Sequence, residues 1–143
     1  MNKTTNSTRV TMSPVEINRV REMLEHRRLM RSSTEEDFIA CYLDTIPGVY
    51  QDQYGNRILL SPDSKVMISC HTDSVHRMDG KQKLNISRGG IVSLDKRETV
   101  SNCLGADDAA GIYAALRMIE AGVKATFPLS QLCLLSHFIG WQV

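Results

Sequence analysis

Two short clusters bring together residue types that do chemistry. In His71-Thr72-Asp73 an imidazole and a carboxylate stand two residues apart. Alternate side chains of an extended chain point the same way, so His71 and Asp73 face one side together. A metal-bound imidazole usually passes its other N–H to a carboxylate, which fixes the ring and raises its basicity. His71 as ligand and Asp73 as its orienting partner fit that pattern. A surface histidine beside an aspartate is the plainer outcome for such a pair taken alone.

Gly105-Ala106-Asp107-Asp108-Ala109-Ala110-Gly111 is the second cluster, two adjacent carboxylates at the start of an apolar helical stretch. An N-cap accounts for one aspartate, because the side chain accepts from free N–H groups and the helix dipole favours its charge. The other is surplus to that role. A carboxylate can instead bridge two cations, as two-metal hydrolases require. Both roles coexist if Asp107 bridges and Asp108 caps.

The elements that must hold these clusters are read from periodicity. Ser13-Pro14-Val15-Glu16 is a capping box with proline in the first turn, and Ile17, Val20 and Leu24 continue at helical spacing. A second capping box is expected at Ser33-Thr34-Glu35-Glu36, with Phe38, Ile39, Tyr42, Leu43 and Ile46 as the apolar stripe and Pro47-Gly48 as the stop. Val49-Tyr50 and Arg57 to Leu60 flank a Tyr54-Gly55-Asn56 turn and read as a hairpin or adjacent strands. Val66 to Cys70 reads as a strand buried on both faces, with His71 at its carboxyl end. Residues 76 to 104 form a long polar excursion containing one short strand at Ile91 to Leu94, and excursions at strand ends commonly build sites. From Asp108 the pattern turns helical until Ala121-Gly122. This order of elements favours α/β.

Composition narrows the function classes. The chain has 143 residues, 42% hydrophobic and 23% charged, with a net charge of +1. That is one globular domain in size, with no basic footprint for nucleic acid. The run His26-Arg27-Arg28 reads as a solvated helix end near the negative dipole terminus. No stretch matches the ~20 uninterrupted apolar residues of a membrane span. The four cysteines form no CxxC pair, and the polar stretch Met1 to Met12 has no apolar signal region. Together these point to reduced thiols and a cytoplasmic protein.

The sequence HTDSV after a buried strand, followed by LGADDAAG at a helix start, resembles the co-catalytic di-zinc exopeptidases, peptidase T-like tripeptide aminopeptidases in particular. The likeness runs from about Pro14 to Phe127. It implies the first half of a mixed or parallel-sheet α/β domain with helices on both faces. It implies His71 as ligand of one zinc, Asp73 as the catalytic-site carboxylate that orients it, and Asp107 as the carboxylate bridging two zinc ions. The peptide bond between Asp107 and Asp108 is then expected to be cis. The implied reaction is hydrolysis of the amino-terminal bond of small peptides by metal-bound water.

The pattern is incomplete. The resemblance calls for a Glu-Glu pair after the next strand, a later acidic ligand and a final histidine, yet no acidic residue follows Glu120. His137 is the only imidazole in the tail and reads as packing among leucine and phenylalanine. Three segments are expected: a flexible lead-in over 1–12, a partial catalytic domain over 13–127, and an atypical apolar tail over 128–143. An interrupted gene produces such a tail, and a strand that merely completes the sheet is the alternative. Two functions follow: a metallo-aminopeptidase, apparently truncated, or a non-catalytic remnant or binding module. Uncovered sheet edges would invite self-association.

Overall fold

The computed structural model describes residues 12–130. Helix α1 spans Pro14–Leu24 and opens with the expected capping box, Ser13 and Glu16 each accepting from the other's backbone N–H. Helix α2 spans Ser33–Tyr42, but its cap is Ser32, one residue before the expected serine. The reason lies in Glu35. Its N–H donates to Ser32 while its carboxylate accepts from the Arg31 N–H at 2.6 Å and from the Thr72 hydroxyl at 2.6 Å, so the cap forms at Ser32 without a reciprocal box.

Strands β1 (Tyr50–Gln51) and β2 (Arg57–Leu59) form the expected hairpin. Asp52 stabilises its turn by accepting from the N–H groups of Tyr54 and Asn56. Strand β3 is only Cys70–His71. The expectation of a doubly buried strand over Val66 to Cys70 fails at its beginning, where Val66 and Met67 are more than half exposed and a single bridge joins Met67 to Thr126. The excursion contains a separate hairpin, β4 (Leu84–Ile86) with β5 (Val92–Leu94), of which sequence periodicity showed only the second strand. Helix α3 spans Ala106–Glu120.

Strand β6, Phe127–Ser130, lies at the centre of a four-stranded sheet ordered β1-β2-β6-β3. It runs antiparallel to β2 and parallel to β3. The alternative of a strand completing the sheet thus holds for these four residues, and β6 continues across the boundary expected after Phe127. Pro128 lies within it, although proline withdraws an N–H from the ladder and is uncommon in a central strand. Residues 1–11 and 131–143, including His137, lie outside the described residues.

Opposed residues on paired strands share a face. Leu59 with Phe127, and Leu129 with Cys70, face a core completed by Met23 of α1, by Phe38, Ile39 and Leu43 of α2 and its end, and by Ile112, Ala115 and Leu116 of α3. All three described helices contribute to this one core. The other face carries Tyr50, Ile58, Leu60, Met67, Thr126 and Pro128, which line an open groove. A helical layer on that second face is not among the described residues. None of the described helices is long and apolar enough to cross a membrane.

Candidate metal centre

The carboxyl end of β3 and the start of α3 meet at one point. His71 follows Cys70 at the end of the strand, and α3 packs against β3. Asp107 and Asp108 have non-helical dihedrals, so regular helix begins only at Ala109. Asp108 caps it, its Oδ1 accepting from the Gly111 N–H at 3.0 Å while Oδ2 accepts from the His71 N–H at 3.4 Å. Asp108 thus takes the capping role expected of it, while Asp107 takes no part in the cap and approaches His71. The Asp107–Asp108 peptide bond is cis.

Gly111 is the residue that permits this cap. A Cβ there would sit 2.0 Å from Asp108 Oδ1. Small residues at the helix start therefore serve the carboxylate as well as close packing on the sheet. Gly105 has φ +72, and a Cβ on it would fall 2.5 Å from His76 Cε1. A side chain at that position is excluded by both backbone and space.

The three singled-out side chains come together. His71 Nδ1 lies 3.0 Å from the backbone oxygen of Asp73 and 3.2 Å from its Oδ1. Both neighbours only accept, so Nδ1 carries a proton and donates it. In the neutral ring Nε2 is then a lone pair, and it stands 3.1 Å from Asp107 Oδ1, another acceptor. Two acceptors at that distance repel unless a cation lies between them. A proton on Nε2 is one such cation. Burial works against the charged imidazole, but the hydrogen bonds to Asp107 and Asp73 outweigh it and hold the His71 pKa above its ordinary value. A metal ion is the other cation that fits two lone-pair donors.

As a metal site the arrangement is partial. His71 Nε2 and Asp107 Oδ1 suit zinc by chemistry, and Asp107 is 94% exposed on its side chain, open to an incoming ion. Zinc ordinarily takes four ligands. Among the described residues, no group of three or more His, Cys, Asp or Glu is placed to hold an ion. The residues present fit one side of a metal site and leave the rest of the coordination to other donors.

Behind the site lies a polar layer that periodicity did not reveal. Arg28 and Glu35 are both fully buried. Arg28 corrects the expectation of a solvated His26-Arg27-Arg28 helix end. The helix stops at Leu24, and the following chain turns inward, with Arg28 stacked 4.6 Å over the Phe38 ring and His26 edge-on to Phe38 and Tyr42. Burial pushes the Arg28 pKa down to about 10, partly offset by the charges of Glu35, Asp108 and Asp73. Burial also raises the Glu35 carboxyl. Burial raises the Cys70 thiol to about 12, helped by the Asp108 charge, which makes it an inert core group. Only the placement of Glu35 three residues after a serine hinted at any of this, and that spacing reads as capping.

No protein-family model matches the sequence, and no curated relative does. Solved structures that share the fold include a tripeptidase from Staphylococcus aureus subsp. aureus Mu50, 19% identical with a TM-score of 0.58, over 80% of this chain and 34% of that one. They also include the aminoacylhistidine dipeptidase of Vibrio alginolyticus, 15% identical with a TM-score of 0.58, over 88% of this chain and 29% of that one. The mixed α/β fold is thus one found in peptidases, and the chain spans about a third of the length of the structures it matches.

Proposed function

We propose that this chain forms the metal-holding side of a zinc-dependent exopeptidase-like hydrolase that acts on small peptides. The observation that carries the reading is the pair of facing acceptors, His71 Nε2 and Asp107 Oδ1, 3.1 Å apart. His71 and Asp107 are the ligands, and Asp73 orients the ring by accepting a hydrogen bond from Nδ1–H. Asp107, exposed and uncommitted to the helix, is the carboxylate free to bridge two ions. Bound zinc would supply an acidified water and a polarised scissile carbonyl. The residues of this chain hold the ring in one tautomer and leave Asp107 clear by assigning the helix cap to Asp108. The free thiols of Cys41, Cys70 and Cys103 accord with a cytoplasmic setting.

A second reading is favoured by the short ligand set. A remnant or binding module keeps the fold and a weak metal site, and among the described residues no group of three or more His, Cys, Asp or Glu is placed to hold an ion. Zinc titration of the purified chain, followed by a tripeptide hydrolysis assay with and without chelator, separates the two. Chelator-sensitive hydrolysis selects the enzyme, and zinc binding without hydrolysis selects the module. In both cases His71→Ala and Asp107→Ala should each weaken zinc binding at least ten-fold. Equal zinc affinity in the wild type and both variants would sink the metal site itself.

A further inference from the structure

The two halves of the candidate site come from chain segments more than thirty residues apart, and beyond the packing of α3 on β3 the direct polar links between the ligands are long or open to replacement. One is the 3.4 Å contact of the His71 N–H with Asp108, and the other is the Nε2–Asp107 approach that an ion would replace. Arg28 makes the firmer connection. Its backbone oxygen accepts from the Ser74 N–H at 2.7 Å and from the Ser74 hydroxyl at 3.2 Å. Its backbone N–H donates to His76 Nδ1 at 3.1 Å. Its guanidinium Nη2 donates to the Gly105 carbonyl at 2.7 Å. One fully buried residue therefore grips the segment that follows β3, at Ser74 and His76 just beyond His71 and Asp73, and also Gly105 in the turn just before Asp107 and Asp108.

We infer that Arg28 is a positioning residue that sets the spacing between the His71 and Asp107 halves of the site. Packing alone does not account for it. A buried charge without a directly bonded carboxylate is costly, and the Nε and Nη1 of Arg28 have no hydrogen-bond partner among the described residues. The Phe38 face offsets only part of that cost. What the guanidinium does have is a hydrogen bond to the turn before Asp107 and the nearby charges of Glu35, Asp108 and Asp73. His76, which accepts from the Arg28 N–H, occupies the space that a side chain on Gly105 would need.

The inference rests on the metal reading above but is testable apart from it. Arg28→Met and Arg28→Lys are compared with a core truncation, Ile39→Val or Leu43→Ala, chosen to match the loss of stability. Zinc binding and amide exchange of the metal-free protein are measured on the full chain. Arg28→Met should weaken zinc binding at least ten-fold relative to the matched control, with Arg28→Lys between it and the wild type. Exchange should rise locally at residues 71–76 and 105–108 in Arg28→Met and not in the control. If Arg28→Met does not fold, the same comparison is made with Arg28→Lys. If the wild type binds no zinc but the local exchange rises as described, the metal reading fails and the positioning role stands. Exchange and affinity equal to those of the matched control overturn the positioning role, whatever the wild type binds.

Discussion

The two faces of the four-stranded sheet behave as different materials, although they share the same strands. On one face Phe127 and Leu129 are sealed under three helices, with the partly buried Leu59 packed at their margin. On the other, Tyr50, Leu60 and Met67 remain about half exposed around an open groove. The closed face fixes the carboxyl end of β3 against the start of α3, which is where His71 and Asp107 meet. The open face reaches none of the candidate ligands. Among the described residues, helix packing is therefore concentrated on the side that carries the candidate ligands.

The sharpest way to break the comparison is a pair of truncations. Phe127→Ala should cost about 3–5 kcal/mol, the range for a fully buried aromatic. Leu60→Ala on the open face should change stability by no more than about 0.5 kcal/mol, the usual range for exposed positions. Urea unfolding of the two variants checks this. Similar losses would mean that the groove face is covered in solution, and the contrast between faces would disappear.

Within the closed face, Gly111 tests whether the helix start is held as tightly as the core. Gly111→Ala places a Cβ on the Asp108 carboxylate, so the cap must move and release the His71 N–H. The expected cost is about 1–3 kcal/mol, as for overpacking. Zinc affinity should fall further than stability alone explains, because the disturbed carboxylate adjoins Asp107. Calorimetry and metal titration on one preparation measure both. A stable variant with unchanged zinc binding would show that Asp108 is dispensable to the site.

The closed face also explains what was legible in the sequence. Helical spacing in Ile112, Ala115 and Leu116 and the caps at Ser13 and Asp108 are local signals, so the helices and the double-aspartate start could be read directly. The approach of His71 to Asp107 was legible only through the resemblance, because 36 residues separate them along the chain. Arg28 and Glu35 were not legible. Their burial depends on a long-range partner set, Gly105 for one and Thr72 for the other, that no periodicity encodes. Strand β6 was legible only as one of two alternatives for the tail, because its pairing partners, β2 and β3, lie far from it along the chain.

A smaller effect separates the cap of α2 from the core it supports. Ser32→Ala removes the side-chain acceptor for the Glu35 N–H and should cost about 1 kcal/mol. Ser33→Ala, at the residue sequence spacing favoured, should cost less, since its hydroxyl contacts only Asp79 on the surface. Thermal unfolding of the two variants decides between the caps, and the reverse order would return the capping role to Ser33.

The finest test uses acid. His26 is buried on the closed side, and its Nδ1 donates to the Glu22 carbonyl. Burial lowers its pKa below the ordinary 6.5, and the nearby Lys81 charge lowers it further. The unfolded chain therefore takes up this proton at a higher pH than the folded one does. The neutral ring's contribution to stability is complete above about pH 6.5 and is lost as the pH falls toward the folded value, below which no further loss occurs. His76 is lowered in the same direction, whereas His71 is raised and acts oppositely, so the total slope mixes several groups. The His26 share appears as a difference. Urea midpoints of the wild type should drop more steeply than those of His26→Gln as the pH is lowered below about 6.5. Parallel curves would place His26 in water rather than against Phe38 and Tyr42, and the closed face would end before the chain that carries Arg28.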